Sequence, residues 1–146
     1  MHNHFRDKGE SLYYFFDTFD KLLECPDCSS CIILKCKSSI ICCNHCGYLK
    51  DISLGHVTTR WGSNYGVCYD HKLWLRTPCC GRELWAFNKE HLHYLFNYIT
   101  ADIRGRTPYI NQSVASRLPD WIKSSKNKIQ LKKALERLER KMEVIQ

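Results

Sequence analysis

The chain has 146 residues, with 22 Lys and Arg against 15 Asp and Glu, a net charge of +7, and ten cysteines. That length suits one compact unit with a sizeable core, and no run of 18 apolar residues occurs, which excludes a membrane-spanning helix. The amino terminus has no apolar stretch resembling a secretory signal, so reduced thiols, metal binding and a cytoplasmic location are expected. The positive charge is skewed, because residues 101–146 carry eleven basic and five acidic side chains. Such a skew suits phosphates or an acidic protein surface as partner.

In chain order, Leu12, Phe15, Phe16, Phe19, Leu22 and Leu23 recur at helical spacing, and Ser11 can cap them. A helix is expected over residues 11–24, with a strand as the alternative because aromatic residues crowd Tyr13 to Phe16. Ile32–Leu34 and Ile40–Ile41 read as the two strands of a hairpin turning at Lys37–Ser39. Gly55 to Gly66 reads as a loop. A second hairpin is expected from Lys72–Thr77 and Glu83–Phe87, joined through Pro78–Arg82. Asn88 caps a helix to about Arg104, with Leu92, Leu95, Phe96 and Ile99 on one face. Thr107–Pro108 breaks the chain, Ser113–Leu118 can make a turn or two of helix, and Pro119 restarts it. Asn127 with Gln130 resembles a capping box before a last helix that carries Leu131, Leu135, Leu138, Met142 and Ile145.

The strongest chemical signal is the spacing Cys25-x2-Cys28-x14-Cys43-x2-Cys46. Tetrahedral zinc takes four thiolates, and two ligands three positions apart reach one ion from a tight turn. Pro26 stiffens the first turn, and Gly47 supplies a residue without a Cβ where the second folds back. Cys31, Cys36 and Cys42 are extra thiols, so a set with Cys31 in place of Cys25 stays open, although Pro26 favours Cys25.

Residues 25–54 resemble the zinc-ribbon family, as in the ribbon of transcription factor B. The resemblance implies three short strands with one zinc ion at one end, held by Cys25, Cys28, Cys43 and Cys46. Tyr65 to His93 is similar to the block that follows the ribbon in a group of small bacterial zinc-ribbon proteins. Its marks here are Cys68 upstream of Leu73-Trp74-Leu75, Cys79-Cys80-Gly81, Leu84-Trp85-Ala86 and the Asn88-capped helix with His91-Leu92. The implied architecture is α+β: a zinc ribbon, a second Cys-rich hairpin, and helical amino- and carboxy-terminal segments. The corresponding units are an N-terminal helix (1–24), the ribbon (25–54), the second Cys/His hairpin with its helix (55–104) and a basic helical tail (105–146).

A second zinc site is drawn from Cys68, Cys80 and His91, with His71 or Cys79 as fourth ligand. Its spacing is irregular, and a core of unligated thiols around Trp74 and Trp85 explains the same residues. A thiol nucleophile at Cys79 or Cys80 needs an orienting third group that no spacing supplies. No His-Glu-x-x-His, P-loop or G-x-G-x-x-G pattern occurs.

Lys123, Lys126, Lys128, Lys132 and Lys133 follow one another with no acidic residue between them, beside Trp121, which can stack on an unpaired base. The expected function is therefore a non-enzymatic zinc module of a bacterial or phage cytoplasm that binds nucleic acid through this basic third. A protein-binding adaptor is the second expectation, and a small thiol-dependent enzyme or toxin the third.

Overall fold

The computed structural model describes residues 4–7, 10–53, 67–101, 103–106 and 118–145. The expected loop at Gly55–Gly66, the break at Thr107–Pro108 and most of the turn at Ser113–Leu118 lie outside them. Helices are mixed with small two-stranded sheets, four of them antiparallel hairpins. The strands are β1 (His4–Asp7), β2 (Lys21–Glu24), β3 (Cys31–Leu34), β4 (Ile40–Cys42), β5 (Leu49–Asp51), β6 (Val67–Cys68), β7 (His71–Lys72), β8 (Leu75–Cys79), β9 (Arg82–Ala86) and β10 (Ile103–Arg106). The helices are α1 (Leu12–Thr18), α2 (Lys89–Thr100), a single turn α3 (Asp120–Lys123) and α4 (Lys128–Glu143).

The first departure from expectation lies at residues 11–24. Ser11 does cap α1, accepting from the Tyr14 N–H, but the helix ends at Thr18. Leu22 and Leu23 are buried as part of β2, which pairs antiparallel with β3. Tertiary pairing has overridden the helical period, because only in an extended chain can β2 meet partners on both sides. Its Leu22 N–H donates to Phe87 O at 2.9 Å, its Leu22 carbonyl accepts from Trp74 N–H at 3.0 Å, and Leu23 bridges to Leu73.

The second departure concerns the first cysteine-rich segment. β3 and β4 do not pair with each other across Lys37–Ser39; β3 returns to β2, and β4 pairs with β5. Each hairpin therefore closes around its own cysteine pair. The second expected hairpin forms between β8 and β9, with the turn tightened to Cys80 and Gly81. Both have positive φ, +56° and +75°, the signature of a two-residue type I′ turn. β6 and β7 are joined in the same manner by Tyr69 and Asp70.

Asn88 caps α2 as expected, its side chain accepting from the His91 N–H at 2.8 Å. The helix stops at Thr100, short of Arg104, and β10 pairs in parallel with β1. Phe5 of β1 meets Tyr94 and Tyr98 of α2 edge to face, at 5.1 and 5.2 Å. Pro119 precedes α3 as its cap residue instead of lying in its first turn. Asn127 makes no capping bond; its side-chain amide donates to Trp121 O at 2.9 Å.

α4 carries the expected apolar stripe, with Leu131, Ala134, Leu135 and Leu138 fully buried against α2 and β8. Burying each leucine contributes roughly 1.5–3 kcal/mol. Polar bonds fix the same helix: Arg137 donates to Thr77 Oγ1 at 3.0 Å and to Pro78 O at 2.7 Å, and Lys141 Nζ donates to Trp74 O while lying 4.8 Å over its ring. Two of the cations in the basic third are thus spent on docking. No helix among the described residues is long and apolar enough to cross a membrane.

Candidate metal centre

The β2–β3 and β4–β5 hairpins end in two turns built alike. In the first, Ser29 N–H donates to Cys25 O at 2.9 Å and Cys25 N–H to Ser30 O at 2.8 Å; in the second, Gly47 N–H donates to Cys43 O at 2.9 Å and Cys43 N–H to Tyr48 O at 2.8 Å. The residue after the second cysteine takes a left-handed conformation in both, Ser29 at φ +63° and Gly47 at φ +82°. That reversal folds each turn back so that both thiols of a pair point the same way.

The two turns face each other. Cys25, Cys28, Cys43 and Cys46 have all four sulfurs within 4.8 Å of one another. Cys25 lies 3.5 Å from Cys46 and Cys28 lies 3.6 Å from Cys43. A zinc–sulfur bond of about 2.3 Å in a tetrahedron separates sulfurs by about 3.8 Å, so the set matches a metal ion such as zinc with little adjustment. Cys25 and Cys43 are buried, while Cys46 is exposed. Cys31 is not in the group, which decides between the two sets left open by the spacing.

Four crowded thiols do not ionise alike. The Ser30 hydroxyl, then its backbone N–H, hold Cys28 down to about 6. For Cys46 the Tyr48 N–H pulls downward, but burial and the shared protons of Cys25, Cys28 and Cys43 push it up to about 12. One anion is therefore favoured and further ones are opposed, which is the electrostatic condition a divalent cation relieves.

Because no atom lies within 4 Å of a Cβ built on Gly47, only its backbone angle resists substitution. Gly47→Ala is expected to keep the metal and to cost about 1–2 kcal/mol in chemical denaturation. A loss large enough to unfold the protein would contradict this account of the turn.

The second set of expected ligands does not converge: among the described residues Cys25, Cys28, Cys43 and Cys46 are the one group of three or more with ligand atoms this close. Cys68 is wholly buried opposite His71, and burial pushes its thiol up to about 12. His71 uses both ring nitrogens. Nδ1 must donate to Tyr69 O at 2.6 Å, so Nε2 accepts from the Tyr48 hydroxyl at 2.8 Å. His91 lies inside the core, stacked on Phe15 at 5.2 Å and enclosed by Trp85 and Phe87. Its Nδ1 accepts from Phe87 N–H at 3.1 Å, leaving Nε2–H buried without a partner. Cys79 and Cys80 sit at the β8–β9 turn, one buried and one exposed.

Sequence reasoning missed Tyr48 and Ser30. Tyr48 ties the second cysteine turn to His71, and Ser30 bonds the Cys28 sulfur. Their only sequence signal was position, two residues after a paired cysteine.

Of the expected nucleic-acid contacts, Lys126, Lys132 and Lys133 are exposed. Lys128 is half-buried, with Nζ 3.5 Å from Ala101 O, and Lys123 is half-buried in α3. Trp121 is also half-buried, packed against the core, which leaves only part of its ring to stack. Lys133 shares an exposed face with Arg137 and Arg140, spaced four and three apart, whereas Lys132 runs into Glu136, Glu139 and Glu143.

Compared with protein-family models, with curated proteins and with solved structures, the chain finds no match.

Proposed function

We propose that Cys25, Cys28, Cys43 and Cys46 hold one structural zinc ion in a zinc-ribbon arrangement, and that the chain is a non-enzymatic module binding nucleic acid through its basic carboxy-terminal third. The observation that carries the reading is the convergence of four cysteine sulfurs within 4.8 Å. Four thiolates complete a tetrahedral shell and leave no position for a reacting water, which suits a structural ion and not a catalytic one. Bacterial or phage cytoplasm is the setting that the resemblance and the reduced thiols suggest.

Support for nucleic acid comes from charge. The excess of basic residues in 101–146 includes exposed Lys126, Lys132, Lys133 and Arg140, none of them within 4 Å of a carboxylate in the described ion pairs. Phosphate contacts release counterions, so each lost contact flattens the salt dependence of binding by about 0.9 log unit per log unit of salt on duplex DNA and about 0.7 on single strands. Lys126→Gln with Lys133→Gln is expected to weaken binding across unrelated sequences and to flatten the slope by about twice that amount. Fluorescence anisotropy at several salt concentrations measures both.

A protein-binding adaptor is favoured by one observation, the exposed Ile33, Ile40 and Leu49 on the cysteine-bearing hairpins. No measurable affinity for DNA or RNA at low salt would move the assignment to that reading.

A further inference from the structure

At the β8–β9 turn two adjacent thiols point the same way: the sulfurs of Cys79 and Cys80 lie 3.5 Å apart. Successive side chains of an extended strand point to opposite faces, so this approach needs a departure from strand geometry at one of them. The departure is at Cys80, whose φ of +56° is unfavourable for any residue carrying a Cβ. Asn and Gly are the usual occupants of a type I′ turn, and the neighbouring position here is Gly81. Cys42 and Cys43 are also adjacent in sequence, but the Cys43 sulfur is turned toward Cys28.

Access fits a ligand. Cys80 is exposed while Cys79 is buried beneath it, so a ligand can attach first at Cys80 and close onto Cys79. Burial and the neighbouring Cys80 push the Cys79 thiol up to about 12 against the weaker pull of the Arg137 guanidinium, which donates to Pro78 O at 2.7 Å, so Cys79 meets a ligand as the neutral thiol. No other described ligand group joins the pair to make three, so the site offers two sulfurs and no more.

The separation rules out a linear centre, and two sulfurs with no third ligand group suit a centre that needs no more than two protein ligands. With bonds to sulfur of about 2.3 Å, a linear two-coordinate metal spans about 4.6 Å and would force the sulfurs apart by roughly 1 Å. A pyramidal centre with bond angles of about 100° spans about 3.5 Å at the same bond length. We propose that Cys79 and Cys80 form a chelating dithiol site for a trivalent thiophilic centre of the arsenite or monosubstituted-arsenical class. With an arsine oxide, each thiol gives up its proton, the bonding between arsenic and oxygen is replaced by two arsenic–sulfur bonds, and one water leaves. Arsenic stays trivalent and no electron is transferred. The site is independent of the metal centre at Cys25, Cys28, Cys43 and Cys46.

The test uses the zinc-loaded full chain and phenylarsine oxide. Intact mass spectrometry is expected to find one phenylarsine per chain with no zinc released. Trypsin cuts after Arg76 and Arg82, so the adduct should appear on the peptide Thr77–Arg82, whose only thiols are Cys79 and Cys80. Cys80→Asn retains a residue suited to the turn and removes the chelate, and is expected to weaken binding by about 10²–10⁴-fold, the usual gain of a second tethered contact. Cys79→Ala, tested beside it, should weaken binding similarly. Equal affinity in the wild type and in Cys80→Asn overturns the proposal. So does an adduct on any other peptide, or zinc release in step with uptake, which would place the arsenical on the other four cysteines.

Discussion

Cys25→Ser is expected to lose the metal proposed for the four-cysteine site and to unfold the cysteine turns together with the β4–β5 hairpin. A structural zinc contributes on the order of 10–16 kcal/mol of apparent binding energy in small zinc domains, as much as or more than the whole stability of a typical domain. Little else holds the β4–β5 hairpin, whereas β2 and β3 also bury Leu22, Leu23, Ile32 and Leu34 in the core. β4 and β5 are three residues each, their outer side chains are exposed, and β5 buries none of its three residues. The loss should therefore be greatest between Cys25 and Asp51, while α2, α4 and the β8–β9 hairpin keep their shared core of Leu75, Leu84, Ile99, Leu131 and Leu135. Elemental analysis and amide exchange read the two effects. The wild type stripped by a chelator should show the same pattern, and a Cys25→Ser protein with full zinc and unchanged melting would refute the metal assignment.

The second large effect is a dependence on pH set by His91. Burial drives this imidazole down to about 3, against an ordinary value of 6.5. As pH falls below about 6.5 the unfolded chain takes up a proton that the folded chain refuses. His91 thus contributes fully above that pH and its contribution is lost progressively toward about pH 3, by about 1.4 kcal/mol for each pH unit. His91→Phe fills the same aromatic enclosure without titrating. At pH 7 it should be less stable than the wild type by about 1–3 kcal/mol, because the Phe87 N–H loses its acceptor. Between pH 6.5 and pH 5 that deficit should shrink by about 1.4 kcal/mol per unit. Urea denaturation of the zinc-loaded proteins measures the gap; parallel curves would mean that His91 is charged in the fold.

The contrast between these two sites explains what the sequence makes legible. Two Cys-x2-Cys pairs specify their own local turns, and the four-cysteine cluster could be read because the turns and the thiols depend on the same few residues. His91 looked equally suited to a metal. Its burial, however, is decided by Phe15 of α1 and by Trp85 and Phe87 at the end of β9, about seventy positions away, and no local pattern announces such an enclosure. α2 was legible through Asn88 and its apolar face, and α4 through its stripe of leucines. β2 was misread as helix because Leu22 and Leu23 satisfy the helical period set by Phe15, Phe16 and Phe19, and only its partners in β3, Phe87 and Trp74 make it extended. The pairing of β1 with β10 joins two four-residue strands almost a hundred positions apart, neither with the alternation that marks a strand. In the basic third, counting lysines gave the charge but not its use. Arg137 and Lys141 are bound to the β8–β9 hairpin and to Trp74, which leaves fewer free cations than the sequence offered.

The parallel pair of β1 and β10 also imposes an order in time on a chain made from its amino terminus. β1 is synthesised first, yet its partner arrives only at Ile103–Arg106. Both cysteine turns are complete at Gly47. At about 5–20 residues per second, roughly 3–12 seconds separate Cys46 from Arg106 on the ribosome. Through that interval the four cysteines can already gather, while β1 waits unpaired, so the cysteine-bearing hairpins can close well before the N-terminal strand finds its partner.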